Sequence, residues 1–520
     1  MATENIVLLT LALLVDLSIQ QQKDPLQDFC RRFGQQTAVI DRNLYIDGGL
    51  VNYNPLTQNP RNYSNPNLLY ADLDVNNNGM PQEYDNLTKP ADAPDVSGGV
   101  LWADTVNKML YLYGGEFTQG SPQSFSGWAY DAIYNRWNII KADPSQGQIQ
   151  RASYGGGIAV QDGATGYYYG GWLSNASVPG WGSNRPMALS SFLEYDMLQN
   201  TWSNSSGPDS TGRAEGVMVY IPASDRGMLV YFGGVQTPYT NNTIIGQDMD
   251  DILLYDIGND KWYFQKATGQ IPENRRRFCA GVTWAQDLSS YNIYLYGGLA
   301  ATAGNAFDDV YILSLPSFTW IKWYPTTPGA DYPHHSMTCN VIDGAQMIIM
   351  GGTFPNSTAC DIPTNYGMHN LDLGQQNSQK AKWFIFRPNI TTYQVPSAII
   401  SAIGGSATGG ASVRAPSHGF DNPDLQTYFQ RTYLPPARSP TRAIPTSTSA
   451  SSSSASSKSN STSVGAIVGA VIGGVVGALL IAGIIYYCVS SRKRKKRNTA
   501  AKEQQEMAMK PDSVDVAMGP

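Results

Sequence analysis

Charge is scarce in this 520-residue chain, with Asp, Glu, Lys and Arg together making up only 15% of it. Histidine is scarcer still, at four residues, and cysteine numbers five with no C-x-x-C pair, which argues against a metal or redox cysteine site. No S-x-D-x-G-x-x-W box occurs, so a sialidase is not expected. Basic residues are also missing where a nucleic acid would need them. The segment from Ser490 to Pro520 carries +4 of a whole-chain −6, leaving −10 on residues 1–489. Phosphates select Lys/Arg surfaces, so an acidic body argues against that partner. What is abundant is glycine (51) and aromatic side chains (31 Tyr, 11 Trp), a balance that suits tight-turned sheets better than helices.

Long apolar runs occur at the two ends. Ile6–Val15 is too short to span a bilayer and fits the core of a signal peptide over residues 1–20, with an internal strand as the alternative. Val464–Val489 carries no charge and is long enough for a transmembrane helix. Arg492, Lys493, Arg494, Lys495, Lys496 and Arg497 follow at once and read as a stop-transfer anchor opening a cytoplasmic tail over 490–520. A GPI signal would end in its apolar tail, whereas here a polar extension follows. Gly465, Gly469, Gly473 and Gly477 fall on one face of that span, a pattern that lets a second copy approach and form a homodimer.

Between Ala437 and Ser463, 16 of 27 residues are Ser or Thr, a composition that fits an O-glycosylated stalk. N-x-S/T sequons stand at Asn62, Asn86, Asn175, Asn204, Asn241, Asn356 and Asn389, with an eighth at Asn460 close to the span. All lie upstream of the span, in agreement with an extracellular body at the plasma membrane. Cys488 lies at the span's cytoplasmic end, a candidate for palmitoylation. Cys30, Cys279, Cys339 and Cys360 can form two disulfides in any of three connectivities.

The body repeats itself. Apolar, aromatic runs end in glycine pairs at Gly48–Gly49, Gly114–Gly115, Gly170–Gly171, Gly233–Gly234, Gly297–Gly298 and Gly351–Gly352. Each is followed by a polar loop and then a second strand of the type Ala129–Trp137 (AYDAIYNRW), Glu194–Trp202 or Leu254–Trp262. This set resembles the kelch repeat over roughly Arg31 to Arg387, and the mix of leader, stalk and basic-flanked span is similar to single-pass surface kelch proteins of filamentous fungi. The resemblance implies an all-β, six-bladed kelch-type β-propeller over residues 30–395, with one C-terminal transmembrane α-helix. An irregular extension over 396–436 would join it to the stalk over 437–463 and the span over 464–489. It also implies that the glycine pair ends the innermost strand of each blade and that the recurring Trp packs between blades. Gln35–Asp41 is expected to complete the sixth blade as its outer strand, closing the ring.

Alternating strands place the loops after the glycine pairs, such as Val51–Leu68 and Gly171–Ser190, on one face with the loops joining each blade's third strand to its outer strand. Long loops on a rigid scaffold are where binding sites sit, with Trp172, Trp181 and Tyr239 as aromatic candidates for sugar stacking. Kelch propellers also carry galactose oxidase-like copper enzymes, and that is the alternative reading: a secretory-pathway oxidase. It needs two His and two Tyr on one ion, and His334 and His335, if in one strand, point to opposite faces. His369 and His418 complete the histidines, and no matched Tyr/Cys set is evident. Asp250–Asp251 and Asp308–Asp309 read as turn acids, and Arg275–Arg277 as structural arginines. The expectation is a binding or adhesion module for wall glycans or protein partners, with no cofactor and no catalytic or metal residue.

Overall fold

In the computed structural model, which describes residues 23–141, 149–238, 243–302, 304–325 and 332–445, the organising unit is a hairpin. Ile40 pairs with Asn43 across a two-residue turn whose members, Asp41 (φ 47°) and Arg42 (φ 66°), are both left-handed. Such a turn matches the twist of the flanking strands, so Gln36–Ile40 must pair with Asn43–Asp47. The sheet continues through Leu68–Asn77 to Met80–Tyr84. Four further four-strand units follow, beginning at Val96–Asp104, Gly156–Val160, Val217–Ile221 and Cys279–Trp284. In the sixth, Thr338–Ile342, Gln346–Met350 and Met368–Asp372 form the sheet, and the fourth strand shrinks to a bridge between Leu371 and Trp383. The first strands of successive sheets lie side by side, and the first packs on the sixth, which closes a six-sheet ring.

Two expectations are corrected here. Gln35–Asp41 is not the outer strand of the sixth blade: Gln36–Ile40 is the innermost strand of the first, because its tight turn commits it to the strand that follows. Nor do the glycine pairs end the innermost strands. They end the second strand of each blade, which is buried on both sides, as in Met228–Phe232. The innermost strands face a central channel and carry small residues, as in Gly156–Val160 (GGIAV).

The glycine pairs are stitches between blades. The second glycine of each pair donates its N–H to a carbonyl of the next blade's entry: Gly49 to Val96 (2.8 Å), Gly115 to Ala152 (2.8 Å) and Gly171 to Arg213 (2.8 Å). The circuit goes on with Gly234 to Arg275 (2.8 Å), Gly298 to His334 (2.8 Å) and Gly352 to Arg32 (2.7 Å), which completes it. A Cβ on Gly114 or Gly351 would collide with the same carbonyl its neighbour bonds, and both glycines have positive φ, so no other residue fits.

The recurring tryptophans pack where the resemblance puts them. Trp202 of the third blade lies against Trp102 and Tyr113 of the second, Trp262 of the fourth against Tyr169 and Phe192 of the third, and Trp383 against Tyr296 of the fifth.

Closure of the ring is covalent as well. Phe29–Phe33 pairs with Leu50–Tyr53 of the first blade, while the Cys30–Cys360 disulfide ties it to the loop of the sixth. The buried Arg32 makes two hydrogen bonds to the carboxylate of Glu83 (2.6 and 3.2 Å). A second disulfide, Cys279–Cys339, joins the innermost strands of the fifth and sixth blades.

Residues 396–445 are more than an irregular extension. Two short helices, α1 (Ser397–Ile403) and α2 (Pro423–Tyr428), bury Ile399, Ile403, Leu425 and Phe429 against the sheets. The chain then crosses the hairpin turns opposite the glycine loops. Gly410 donates to Asp287 (2.6 Å), Tyr433 N–H to the Pro222 carbonyl (3.0 Å) and the Tyr433 hydroxyl to Asp162 (2.6 Å). Arg438 pairs with buried Asp104, and Arg442 forks onto Asp131 at 2.8 and 2.9 Å. The segment to Pro445 thus belongs to the propeller's compact unit, and the first residues expected in the stalk, 437–445, are docked. No helix among the described residues is long and apolar enough to cross a membrane. The leader, most of the stalk, the span with its four glycines, the basic run and tail, Cys488, Asn241, Asn460 and Tyr239 lie outside the described residues.

Candidate functional site: the channel mouth

The channel encloses about 640 Å³ and is walled by residues such as Ala38, Val100, Ile158, Val219, Ala280 and Val341. Among the described residues no Asp, Glu, His, Lys or Arg lines it; the Tyr220 phenol does, with its ionisation pushed up by burial, and Cys279 and Cys339 are tied in a disulfide, so the wall offers no acid–base pair. The charged chemistry gathers at one mouth, on the face of the glycine loops.

There the backbone makes a second closed circuit. Gly34 donates to Ser336 (2.7 Å), Gly98 to Gly34 (2.8 Å), Tyr154 to Gly98 (2.7 Å), Glu215 to Tyr154 (2.6 Å), Arg277 to Glu215 (2.9 Å) and Ser336 to Arg277 (2.8 Å). All six residues have φ between 54° and 68°. Glycine is the low-strain choice at such a φ, yet four of the six positions carry Tyr, Glu, Arg and Ser. The two glycines make room: a Cβ on Gly98 would strike the ring of Tyr154, which lies across it.

Arg277 stands 4.2 Å above the Tyr154 ring and donates to Glu215 at 3.0 Å. Arg276 reaches the same carboxylate at 3.0 Å, and the Trp172 indole N–H at 3.2 Å. Burial works against the charge of Glu215, but the two guanidinium groups and the indole outweigh it and hold the carboxyl below its ordinary range. Burial instead raises Glu116, which Arg277 and the hydrogen bond from Ser153 only partly offset. Beside them His335 is pushed down to about 4 by burial and by Arg277 and Arg276, so it stays neutral. The mouth is a fixed array of cation, carboxylate and aromatic ring around a hollow of about 140 Å³. Such a set recognises polar surfaces, and at its rim the Ser336 hydroxyl lies 3.0 Å from Nδ1 of the neutral His335.

The residues singled out in the sequence fall in different places. Trp172 is buried against Glu215 and offers no open platform, whereas half-buried Trp181 ties its own loop together through the Asn184 carbonyl (3.1 Å). Asn62, Asn86, Asn175, Asn204, Asn356 and Asn389 are all exposed. Asp250 and Asp251 pair with Lys266, and Asp309 pairs with buried Arg275, which also donates to the Gly297 carbonyl (3.1 Å). These are structural contacts. His418 is exposed, away from the other histidines. Sequence reasoning missed two things. Glu215, Tyr154 and Arg277 come together only because they occupy the same step of successive blades. His334 and His369 meet around Asp361 because His334 lies in a connection, not a strand.

A closed ring of sheets, stitched blade to blade by glycine pairs and packed by a recurring tryptophan, defines a kelch-type β-propeller. The chain belongs to the kelch-repeat family. It is 31% identical over 474 residues to the "Kelch repeat-containing protein" of Arthroderma benhamiae, a match covering 79% of this chain and 69% of that relative. It is 25% identical over 165 residues to the bovine and human "Kelch domain-containing protein 3", covering 30% of this chain and 40% of theirs. No protein-family model matches the chain.

Proposed function

We propose that this protein is a single-pass surface recognition module whose glycine-loop face binds a glycan or protein partner outside the cell. The observation that carries the reading is the mouth circuit, where four non-glycine side chains are kept at left-handed φ around an array of Arg277, Glu215 and Tyr154. Strain of about 1–3 kcal/mol per position is kept where function needs the side chain. Two further features support it. The opposite face is covered by residues of the chain's own 396–445 segment, and the exposed sequons at Asn62, Asn175 and Asn356 lie on the loops of the proposed binding face. Membrane anchoring through Val464–Val489, glycosylation and self-association through the span glycines are parts of the same proposal and rest on the sequence.

The test uses the full-length protein in detergent, screened against wall polysaccharides and surface glycoproteins. A Tyr154→Ala/Arg277→Ala variant reports on the mouth and Asp225→Asn on the opposite face. Saturable binding by the wild type and Asp225→Asn, lost in the mouth variant, is expected. Binding to nothing, or binding that survives in the mouth variant, overturns the reading.

A further inference from the structure

Away from the channel, three side chains converge between the fifth and sixth blades. A ring nitrogen each of His334 and His369 and a carboxylate oxygen of Asp361 all lie within 4.8 Å of one another, and both Nε2 atoms face Asp361 Oδ1, at 3.6 and 2.8 Å. We propose that these three residues bind one divalent transition-metal ion of the zinc type.

Each residue is held on a rigid frame. The backbone of His334 donates to Phe307 (3.1 Å) and accepts from Gly298 (2.8 Å), within the stitching circuit. Asp361 follows the Cys30–Cys360 disulfide and donates its N–H to the Cys30 carbonyl (2.9 Å). His369 sits in the strand Met368–Asp372.

The protonation pattern then follows. His334 Nδ1 lies 2.6 Å from the Tyr332 carbonyl, which can only accept, so Nδ1 carries the ring proton and Nε2 presents a lone pair. That Nε2 has no hydrogen-bond partner, although the residue is 3% exposed. It faces another acceptor, Asp361 Oδ1, at 3.6 Å. Asp361 is 2% exposed, and its Oδ2 is also without a partner. Asp361 Oδ1 accepts from His369 Nε2 (2.8 Å), but His334 Nε2 and Asp361 Oδ2 are buried acceptors without a donor, a costly arrangement that a cation relieves.

Tetrahedral zinc with bonds of about 2.0–2.2 Å needs ligand atoms about 3.4 Å apart, so a set spread over up to 4.8 Å closes by about 1 Å on binding, a movement open to the partly exposed His369 ring. Two imidazoles with one carboxylate favour a transition ion over calcium or magnesium. The Tyr332 carbonyl supplies the outer contact that orients a ligating histidine. His369 now donates its Nε2–H to Asp361 Oδ1 at 2.8 Å, and it joins the ion as the other neutral tautomer, the ring proton passing to Nδ1 through solvent so that the Nε2 lone pair is freed. Its side chain is 24% exposed, which gives the site an opening to solvent.

The experiment strips the full-length protein with a chelator and titrates it with Zn2+, Co2+ and Ca2+. Calorimetry and elemental analysis read the stoichiometry, and visible absorption reads the cobalt coordination. Variants His369→Gln and Asp361→Asn are compared, with circular dichroism and the intact Cys30–Cys360 disulfide as controls for folding. One zinc per chain is expected, with a cobalt spectrum of low coordination number and no matching calcium affinity. Each variant loses more than the roughly 10–100-fold cost of removing an outer partner. Sub-stoichiometric zinc, calcium bound as tightly as zinc, or zinc retained equally by both variants overturns the proposal. His369→Gln, at a partly exposed position, keeps the test valid if Asp361→Asn does not fold.

Discussion

The two faces of the propeller are finished in different ways. On the glycine-loop face the chain closes itself through backbone circuits, the Cys30–Cys360 disulfide and a charged mouth that still opens onto the channel. On the other face the hairpin turns are crossed by the chain's own C-terminal segment, which buries Leu425 and Phe429 and pairs Arg438 and Arg442 with Asp104 and Asp131. A propeller offers two candidate binding faces. Here one is occupied from within, and the proposed reading assigns the partner to the mouth.

That contrast can be broken from either side. The largest effect is expected from Phe429→Ala, which empties the contact with Phe318 (ring centroids 5.6 Å apart) and costs about 3–5 kcal/mol by denaturant melting. Partner binding at the mouth is unaffected, and a parallel loss of binding would mean that the faces are not independent. Next comes the paired change Cys30→Ser/Cys360→Ser, which opens the covalent closure and costs about 2–4 kcal/mol, with the C-terminal segment still docked.

A smaller difference appears with pH. Burial opposes the charges of Asp104 and Asp131, but Arg438 and Arg442 with local hydrogen bonds outweigh it and hold both carboxyls below their ordinary range. Their contribution is present above the unfolded value of about 4 and is lost as pH falls through the folded values. Glu116 at the mouth has the opposite sign: burial raises it, so its contribution is present in acid and lost as pH rises through the folded value. Protease cleavage within 430–445 on acidification, cancelled in Asp104→Asn/Asp131→Asn, would show the first. A Glu116→Gln variant that is more stable than the wild type near neutral pH would show the second. The smallest effect is Ser336→Gly, which relieves a φ of 61° and changes stability by no more than about 1 kcal/mol in either direction. A large loss would show that this side chain holds the mouth together.

The sequence carried the repeat, the positions of the glycine pairs and the sharing of one face by their loops, because local chemistry dictates each of them. It misled on which strand is innermost. The second strand, as in Met347–Met350, is buried between neighbours and reads as the axis, whereas the true inner strand borders the channel and carries small residues such as Gly156 and Ala159. Assigning Gln35–Asp41 to the sixth blade followed from the same inversion. The mouth array and the His334–Asp361–His369 cluster left no local signal, since their members meet only after the ring closes. The docking of 396–445 was hidden by composition: its anchors are a few residues such as Leu425, Phe429 and Tyr433 among many polar ones.

The most direct test of the central claim, that one face is sealed by the chain itself and the other left open, is amide hydrogen exchange on the full-length protein. Amides at Phe429 and Tyr433, which donate to the Leu425 and Pro222 carbonyls, should exchange as slowly as those of the blade strands, with the loop at 118–126 exchanging fast. Exchange at Phe429 and Tyr433 as fast as in that loop would contradict the account.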